Sequence, residues 1–419
     1  MKHSHPHQDI ICGLDIGTTK IVAIIAEPNM DGEPRMLGMG CVPSRGLRRG
    51  VVVNLEQTAH DIATAIGLAQ DKAGVDVDTV WAGIAGEHVK SLNSRGVIPV
   101  TRWRGEQTGE VTTADVEKVV EAARTILLPP DRRVLHVLPQ EFMVDAEGGI
   151  RMPVGMAGVR LEADVHIVHC AVSSAQNIIA CCKRAGVGVN DLILEPLASA
   201  ESVLTEDEKE LGVVLLDFGG GTTDVVAFQG GAIRHTVVIG YGGDYITRDI
   251  AMGLRTPMDS AELIKIEHGS AHQRAIGQND FLEIPGIGGR EPRELSRSML
   301  VSIIGPRVEE ILTIARDELK RARVLDHIGA GVILTGGGAS MCGMPEIAEE
   351  IFALPVRVGT PVEMHGHDHA AYGPKFATAV GLVRYGNRQY VEMLASGGNS
   401  ESWTSRTKVK VRKFFSEIF

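Results

Sequence analysis

Gly212-Val-Val-Leu-Leu-Asp-Phe-Gly-Gly-Gly-Thr-Thr-Asp-Val-Val-Ala-Phe228 is the stretch whose reading decides the fold. An apolar, β-branched run reaches Asp217, crosses three glycines and two threonines, and turns apolar again from Val225. Two such runs separated by glycines predict a buried hairpin. Gly219, Gly220 and Gly221 carry no Cβ, so backbone N–H groups at the turn can approach an anion closely. Thr222 and Thr223 add hydroxyl donors, and Asp217, at the end of the first strand, would hold a Mg²⁺ through its waters. Together these residues describe a triphosphate cradle that lacks a P-loop lysine. A glycine-rich hairpin with no ligand is the ordinary alternative, and the loop alone does not decide between them.

The chain carries the pattern twice. Ile10-Ile-Cys-Gly-Leu-Asp15-Ile-Gly-Thr-Thr-Lys20-Ile-Val-Ala-Ile-Ile25 is again a strand, an Asp, a Gly-Thr-Thr turn and a strand, about half the chain away. Self-similarity at that spacing predicts two related domains, each offering one hairpin to the same polyphosphate. On the first hairpin the candidates are Asp15, Gly17, Thr18 and Thr19, with Lys20 as a point charge and Asp15 as a second metal holder. A third stretch, Gly331-Val-Ile-Leu-Thr-Gly-Gly-Gly-Ala-Ser-Met-Cys-Gly-Met-Pro345, reads as a strand, a bare turn and a helix start. The backbone of Gly336, Gly337 and Gly338 would lie flat against a purine or an α-phosphate.

Asp-x-Gly-Thr-Thr, Asp-x-Gly-Gly-Gly-Thr and Thr-Gly-Gly-Gly, in this order and spacing, resemble the ATPase superfamily of actin, Hsp70 and the sugar kinases. The resemblance implies an α/β, two-lobed actin-like fold of duplicated RNase H-like domains, binding ATP and Mg²⁺ in the cleft.

At 419 residues the chain exceeds one ordinary core, which agrees with two lobes. Its net charge of −11 argues against a general nucleic-acid binder. The six cysteines show no Cys-x-x-Cys spacing, so a disulfide framework or zinc site is disfavoured and reduced cytosolic thiols are expected. No apolar run approaches the roughly 18 residues of a membrane span, and no signal peptide precedes the first strand. His3, His5 and His7 read as a loose polar end, and His365, His367 and His369 as part of a loop.

Residues 1–85, with 165–197 and 368–390, are expected to form the large part of the first lobe. Within it Asn54 to Gly74 reads as a helix, capped by Asn54 and stopped by Gly74, with Ala59, Ile62, Ala63, Ile66 and Ala69 on its apolar face. Between 86 and 164 the texture changes to short mixed runs with a helix-like Thr113–Leu127, an inserted small subdomain. Val165–Val172 reads as a buried strand returning to the first lobe. Residues 198–228, with 299–367, would be the large part of the second lobe, and 229–298 its small subdomain. There Glu262 and Lys265 share a helix face at i and i+3; alone that is a solvated pair, but the superfamily resemblance makes both candidates for ribose or adenine contacts.

The position of the insert, immediately after the first lobe's early strands, resembles the FtsA family of bacterial cell-division proteins rather than actin. Arg133-Val-Leu-His-Val-Leu-Pro-Gln-Glu141, Pro153-Val-Gly-Met-Ala-Gly-Val-Arg160, Cys41-Val-Pro-Ser-Arg-Gly-Leu47 and Leu204-Thr-Glu-Asp-Glu-Lys-Glu-Leu-Gly212 are similar to that family. Residues 391–406, including Ala395-Ser-Gly-Gly-Asn-Ser-Glu-Ser-Trp-Thr-Ser405, read as a flexible linker. The closing segment, 407–419, is basic in an acidic chain. On a helix Val411, Phe414, Phe415 and Ile418 fall at i, i+3, i+4 and i+7, with Phe419 beside them and Lys410, Arg412 and Lys413 at the borders. A helix docked on its own protein is the plainer reading; an in-plane anchor on anionic lipid fits the basic borders better.

The family resemblance implies a filament-forming protein on the cytoplasmic face of the inner membrane at the division septum. It would tether FtsZ, gripping the FtsZ C-terminal peptide at the second small subdomain, where Arg290, Arg293 and Arg297 are basic candidates, and would meet other divisome proteins. It leaves hydrolysis open, at most a weak ATPase. There Glu195, in Leu192-Ile-Leu-Glu-Pro-Leu-Ala-Ser-Ala200, resembles the Glu-Pro-x-Ala-Ala glutamate of Hsp70-like and MreB-like proteins that faces the γ-phosphate. The alternatives within the superfamily are an MreB-like cytoskeletal filament protein or a small-molecule kinase.

Overall fold

The computed structural model describes residues 9–30, 32–101, 108–277, 280–286, 288, 290–366 and 372–395. Two five-stranded sheets dominate it. The first runs, edge to edge, Gly188–Leu194, Thr79–Ile84, Ile11–Ile16, Lys20–Glu27, Arg35–Pro43. The second runs Val356–Val358, Gly331–Thr335, Val213–Phe218, Thr223–Gln229, Ala232–Ile239. In each, the glycine-turn hairpin lies at the centre. Its first strand pairs antiparallel with its own partner (Asp15 opposite Val22, Asp217 opposite Asp224) and parallel with the strand on its other side. The two sheets have the same topology, which is the duplication read from the two hairpins. Every residue of Ile11–Ile16 and of Val213–Phe218 is buried, as a strand covered on both faces must be.

The expected helix after the first hairpin spans Leu55–Ala73. The Asn54 side chain accepts the Gln57 N–H at 3.1 Å, and Gly74 closes it in the left-handed conformation at φ 70°. One face residue is corrected: Ala63 is exposed, and Asp61 is buried in its stead. Arg45 explains the exchange, donating to the Asp61 carboxylate from its guanidinium at 2.7 Å and from its backbone N–H at 3.0 Å. These bonds and that of Gln57 hold the carboxyl below its usual range, against the opposing effect of burial.

A four-stranded sheet follows, in the order Glu147–Ile150, Arg132–Val144, Arg160–Ala171, Lys90–Pro99. The helix Thr113–Arg124 packs on it, started by a reciprocal capping box between Thr112 and Asp115. The buried strand expected from Val165 begins at Arg160 and belongs to this sheet, paired with Lys90–Pro99 from Arg160 to His169. A strand apolar on both sides does not announce which sheet it joins.

This sheet leaves the first lobe by sequence but rests on the edge strand Ala232–Ile239 of the second. Ser91 Oγ donates to the Thr236 carbonyl at 2.8 Å and Gln140 Nε2 to the Ile233 carbonyl at 2.7 Å. His166 is wedged between Asn93 Oδ1 (2.7 Å) and Thr236 Oγ1 (2.9 Å).

Beyond the second hairpin, the helices Gly243–Leu254 and Met258–His268 and a small hairpin (Phe281–Ile284, Arg293–Ser296) precede the long helix Arg297–Arg321. The final described helix, Ala377–Ala395, packs on the central strands of the first sheet and on the helix Glu195–Val203. It occupies 391–395, where the sequence suggested linker: Tyr390, Val391 and Leu394 extend the helical apolar pattern that begins at Ala377. The rest of the linker and the segment 407–419 lie outside the described residues.

Candidate functional site

The two hairpin turns face one another across a cavity of about 590 Å³. Asp15, Gly17, Thr18, Thr19 and Lys20 line it from the first lobe, and Asp217, Gly219, Gly220, Gly221 and Thr222 from the second. Their approach is close: a Cβ on Gly220 would fall 2.2 Å from Thr19 Cγ2, and one on Gly221 would fall 2.5 Å from Thr18 Oγ1. The glycines therefore serve the contact between lobes as well as any ligand. Thr223 is not brought in. It is fully buried and its hydroxyl donates to the Tyr241 carbonyl at 2.8 Å, because strand alternation turns it away from Thr222.

Gly336, Gly337 and Gly338 form the third wall, with Ser340 and Met341 after them. Gly336 has φ 84°, and a Cβ there would fall 2.3 Å from Asp217 Oδ1, so this turn passes directly over the second hairpin's carboxylate. Glu262 and Lys265 complete the wall from the helix Met258–His268. Lys265 Nζ is engaged internally, donating to Glu262 Oε2 at 2.6 Å, Thr247 Oγ1 at 2.9 Å and the Gly243 carbonyl at 3.2 Å. Across the cleft, the Arg49 guanidinium of the first lobe lies 5.2 Å from the Tyr245 ring centre and bonds its hydroxyl.

Charge in the cavity is unbalanced. Lys20 Nζ donates to Asp15 Oδ2 at 2.8 Å. Burial opposes the ammonium charge, yet the Asp15 carboxylate and, further off, Asp217 hold its pKa above the ordinary range. Glu195, the first residue of the helix Glu195–Val203, also lines the cavity. Burial, with Asp15, Asp224 and Asp217 near it, raises its carboxyl well above normal. Asp224 is raised as well, first by burial and then by Asp217, directly opposite it across the hairpin. Its Oδ1 is buried without a hydrogen-bond partner.

Asp15, Glu195, Asp217 and Asp224 thus lie near one another in the cavity, and a divalent cation would offset their mutual repulsion and satisfy the orphaned oxygen. Among the described residues no three acidic, His or Cys side chains stand close enough to ligate one ion directly. A hydrated ion, held through water and through its own polyphosphate, suits that arrangement.

Sequence reasoning missed Asp224, Ser199 and Thr378. Asp224 follows the second Thr-Thr as Lys20 follows the first, a correspondence visible in the two quoted stretches. Ser199 and Thr378 carry no comparable signal, since only the fold brings their helices to Asp217. The three arginines fall elsewhere. Arg293 donates to the Leu254 carbonyl; Arg297 donates to the His268 carbonyl at 2.7 Å and pairs with Asp280 at 3.0 Å; Arg290 is exposed. Two of the three hold the small subdomain together. Val411, Phe414, Phe415, Ile418 and Phe419, with their basic neighbours, lie outside the described residues.

A family model described as "Cell division protein FtsA" matches residues 214–381, and one described as "SHS2 domain inserted in FTSA" matches 86–169. A cell division protein FtsA of Pseudomonas aeruginosa is 48% identical over 396 residues, covering 94% of each chain. The FtsA of Escherichia coli K12 is 39% identical over 421 residues, covering 97% of this chain and 98% of that one.

Among solved structures, the PilM–PilN type IV pilus biogenesis complex superposes with a TM-score of 0.65 at 18% identity, covering 91% of this chain and 99% of that one. MreB5 of Spiroplasma citri bound to ADP gives 0.55 at 14%, covering 94% and 100%. Those structural likenesses establish the actin-like fold. Identity sustained over nearly the whole length, with a separate match to the insert, establishes more: the chain belongs to the FtsA family of cell division proteins.

Proposed function

We propose that the chain is an ATP-binding cell-division protein that polymerises and tethers FtsZ to the cytoplasmic membrane. The observation that carries the nucleotide reading is the pair of glycine–threonine turns facing one cavity, with Asp15, Glu195, Asp217 and Asp224 gathered beside Lys20 in its lining. Gly219 to Gly221, Thr222, Thr18 and Thr19 would present donors to the β- and γ-phosphates. Gly336 to Gly338 would lie under the α-phosphate and base, with Glu262 and Lys265 beside the ribose. Asp15 and Asp217 would hold Mg²⁺ through water, the ion neutralising the polyphosphate charge when bound. Closure of the lobes around this ligand would set the assembly state. Head-to-tail contacts between copies are heterologous and extend without closing.

The basic, aromatic segment 407–419 supports attachment to anionic lipid at the cytoplasmic face of the division septum. The second small subdomain, around Arg290, is the proposed seat of the FtsZ C-terminal peptide, with other divisome proteins joining the assembly. Fluorescent-ATP titration of the full chain, followed by co-sedimentation with FtsZ and anionic vesicles, tests the reading. Saturable ATP binding and ATP-dependent recovery of FtsZ with the vesicles are expected. A chain that binds no nucleotide, or that leaves FtsZ in the supernatant, overturns it.

A further inference from the structure

At the floor of the cavity Asp217 is held by two hydroxyls from outside its own sheet. Ser199 Oγ donates to Asp217 Oδ2 at 2.6 Å, and Thr378 Oγ1 donates to the same oxygen at 3.2 Å. The two hydroxyls also lie 3.0 Å from each other. All three side chains are buried, Ser199 completely. Ser199 stands one turn after Glu195 on the helix Glu195–Val203, and Thr378 opens the helix Ala377–Ala395. A further bond, from Ser202 Oγ to the Ala377 carbonyl at 2.7 Å, ties these two helices together beside the cluster.

The arrangement is directional. Both donors converge on Oδ2, while Oδ1 is the oxygen beneath the Gly336 turn. Burial alone pushes the Asp217 carboxyl up, and the Ser199 bond is the strongest effect drawing it back towards the charged form, ahead of Lys20. The helix bearing Thr378 packs on the first-lobe sheet, whereas Asp217 belongs to the second. The cluster is therefore a tie between lobes at the point where both meet the ligand.

We propose that Ser199 and Thr378 are positioning residues: by occupying one oxygen of Asp217 they orient the other towards the hydrated cation of a bound nucleotide, and couple that cation to the helix pair between the lobes. The proposal rests on the nucleotide reading above. A carboxylate without these donors would no longer be fixed about its Cβ–Cγ bond, and the share of affinity contributed by the cation would suffer.

Nucleotide affinity of the full chain, measured by fluorescent ATP in Mg²⁺ and again in EDTA, separates the cases. Ser199→Ala and Thr378→Val, the second nearly isosteric, are each expected to lower affinity in Mg²⁺ by about tenfold, the scale of one lost hydrogen bond to a charged group, and to leave affinity in EDTA unchanged. Thr378→Ser, which keeps the hydroxyl, is expected to retain wild-type behaviour. Thermal melting without nucleotide reports folding. Equal losses in Mg²⁺ and EDTA, as a merely structural role would give, overturn the proposal, and so does an unchanged Mg²⁺ increment. A wild-type chain that binds no ATP in either condition removes the nucleotide reading itself, a distinct result.

Discussion

Gly220 and Glu195 show how single residues carry the site. Gly220 has Thr19 of the other lobe 2.2 Å from where a Cβ would sit, a distance no side chain tolerates. Gly220→Val would wedge the hairpins apart as well as block the phosphate approach. Loss of measurable fluorescent-ATP binding is expected with the circular dichroism spectrum retained, and a folded variant of wild-type affinity would remove the turn from the site. Glu195 sits where the strand Gly188–Leu194 gives way to a helix opened by Pro196, and its side chain enters the cavity. Phosphoryl transfer to water asks mainly that the nucleophile be oriented. If the wild-type chain turns over ATP, Glu195→Ala is expected to slow steady-state hydrolysis by about 10²-fold while ATP still binds. Turnover equal to wild type would leave Glu195 with no such role.

At the scale of elements, the insert against the edge strand Ala232–Ile239 is the contact with the clearest pH signature. His166 is pushed down to about 3 by burial, with His235 adding to the shift, and burial also depresses His235, His88 and His169. His166 therefore stays neutral in the folded chain until the pH nears 3, and takes up a proton near 6.5 when unfolded. The unfolded state therefore binds more protons below that pH. The stability that depends on His166 is fully present above about 6.5 and falls as pH drops towards 3, by up to about 1.4 kcal/mol per pH unit. Melting temperature measured from pH 7.5 to 4.5 should show this slope, and His166→Gln should flatten it; an unchanged slope would remove His166 from the account.

The same contact shows what was legible in the sequence. Both glycine–threonine hairpins, the glycine wall, and the caps at Asn54 and Gly74 are local patterns, readable as they stand. Which sheet Arg160–Ala171 joins, why Asp61 is buried, and that Ser199 and Thr378 meet at Asp217 are set by pairings between residues far apart in the chain. No periodicity encodes such pairings.

For the whole molecule the decisive asymmetry is electrical. The chain carries −11 overall, yet Arg406, Lys408, Lys410, Arg412 and Lys413 crowd its last residues, interleaved with Val411, Phe414, Phe415, Ile418 and Phe419. No helix among the described residues is long and apolar enough to cross a membrane. Basic residues near an anionic leaflet contribute about 1 kcal/mol each, and burial of the aromatic face adds a salt-independent share. Wild-type binding to anionic vesicles should therefore weaken, but not vanish, as salt rises. Replacing Phe414 and Phe415 together by Asp removes the apolar share and sets two negative charges among the basic ones. Flotation with anionic vesicles is expected to leave this double variant in the soluble fraction, while fluorescent-ATP affinity, proposed above for the cavity between the lobes, stays at the wild-type value. Vesicle binding that survives the double substitution undiminished would place the lipid contact elsewhere on the molecule.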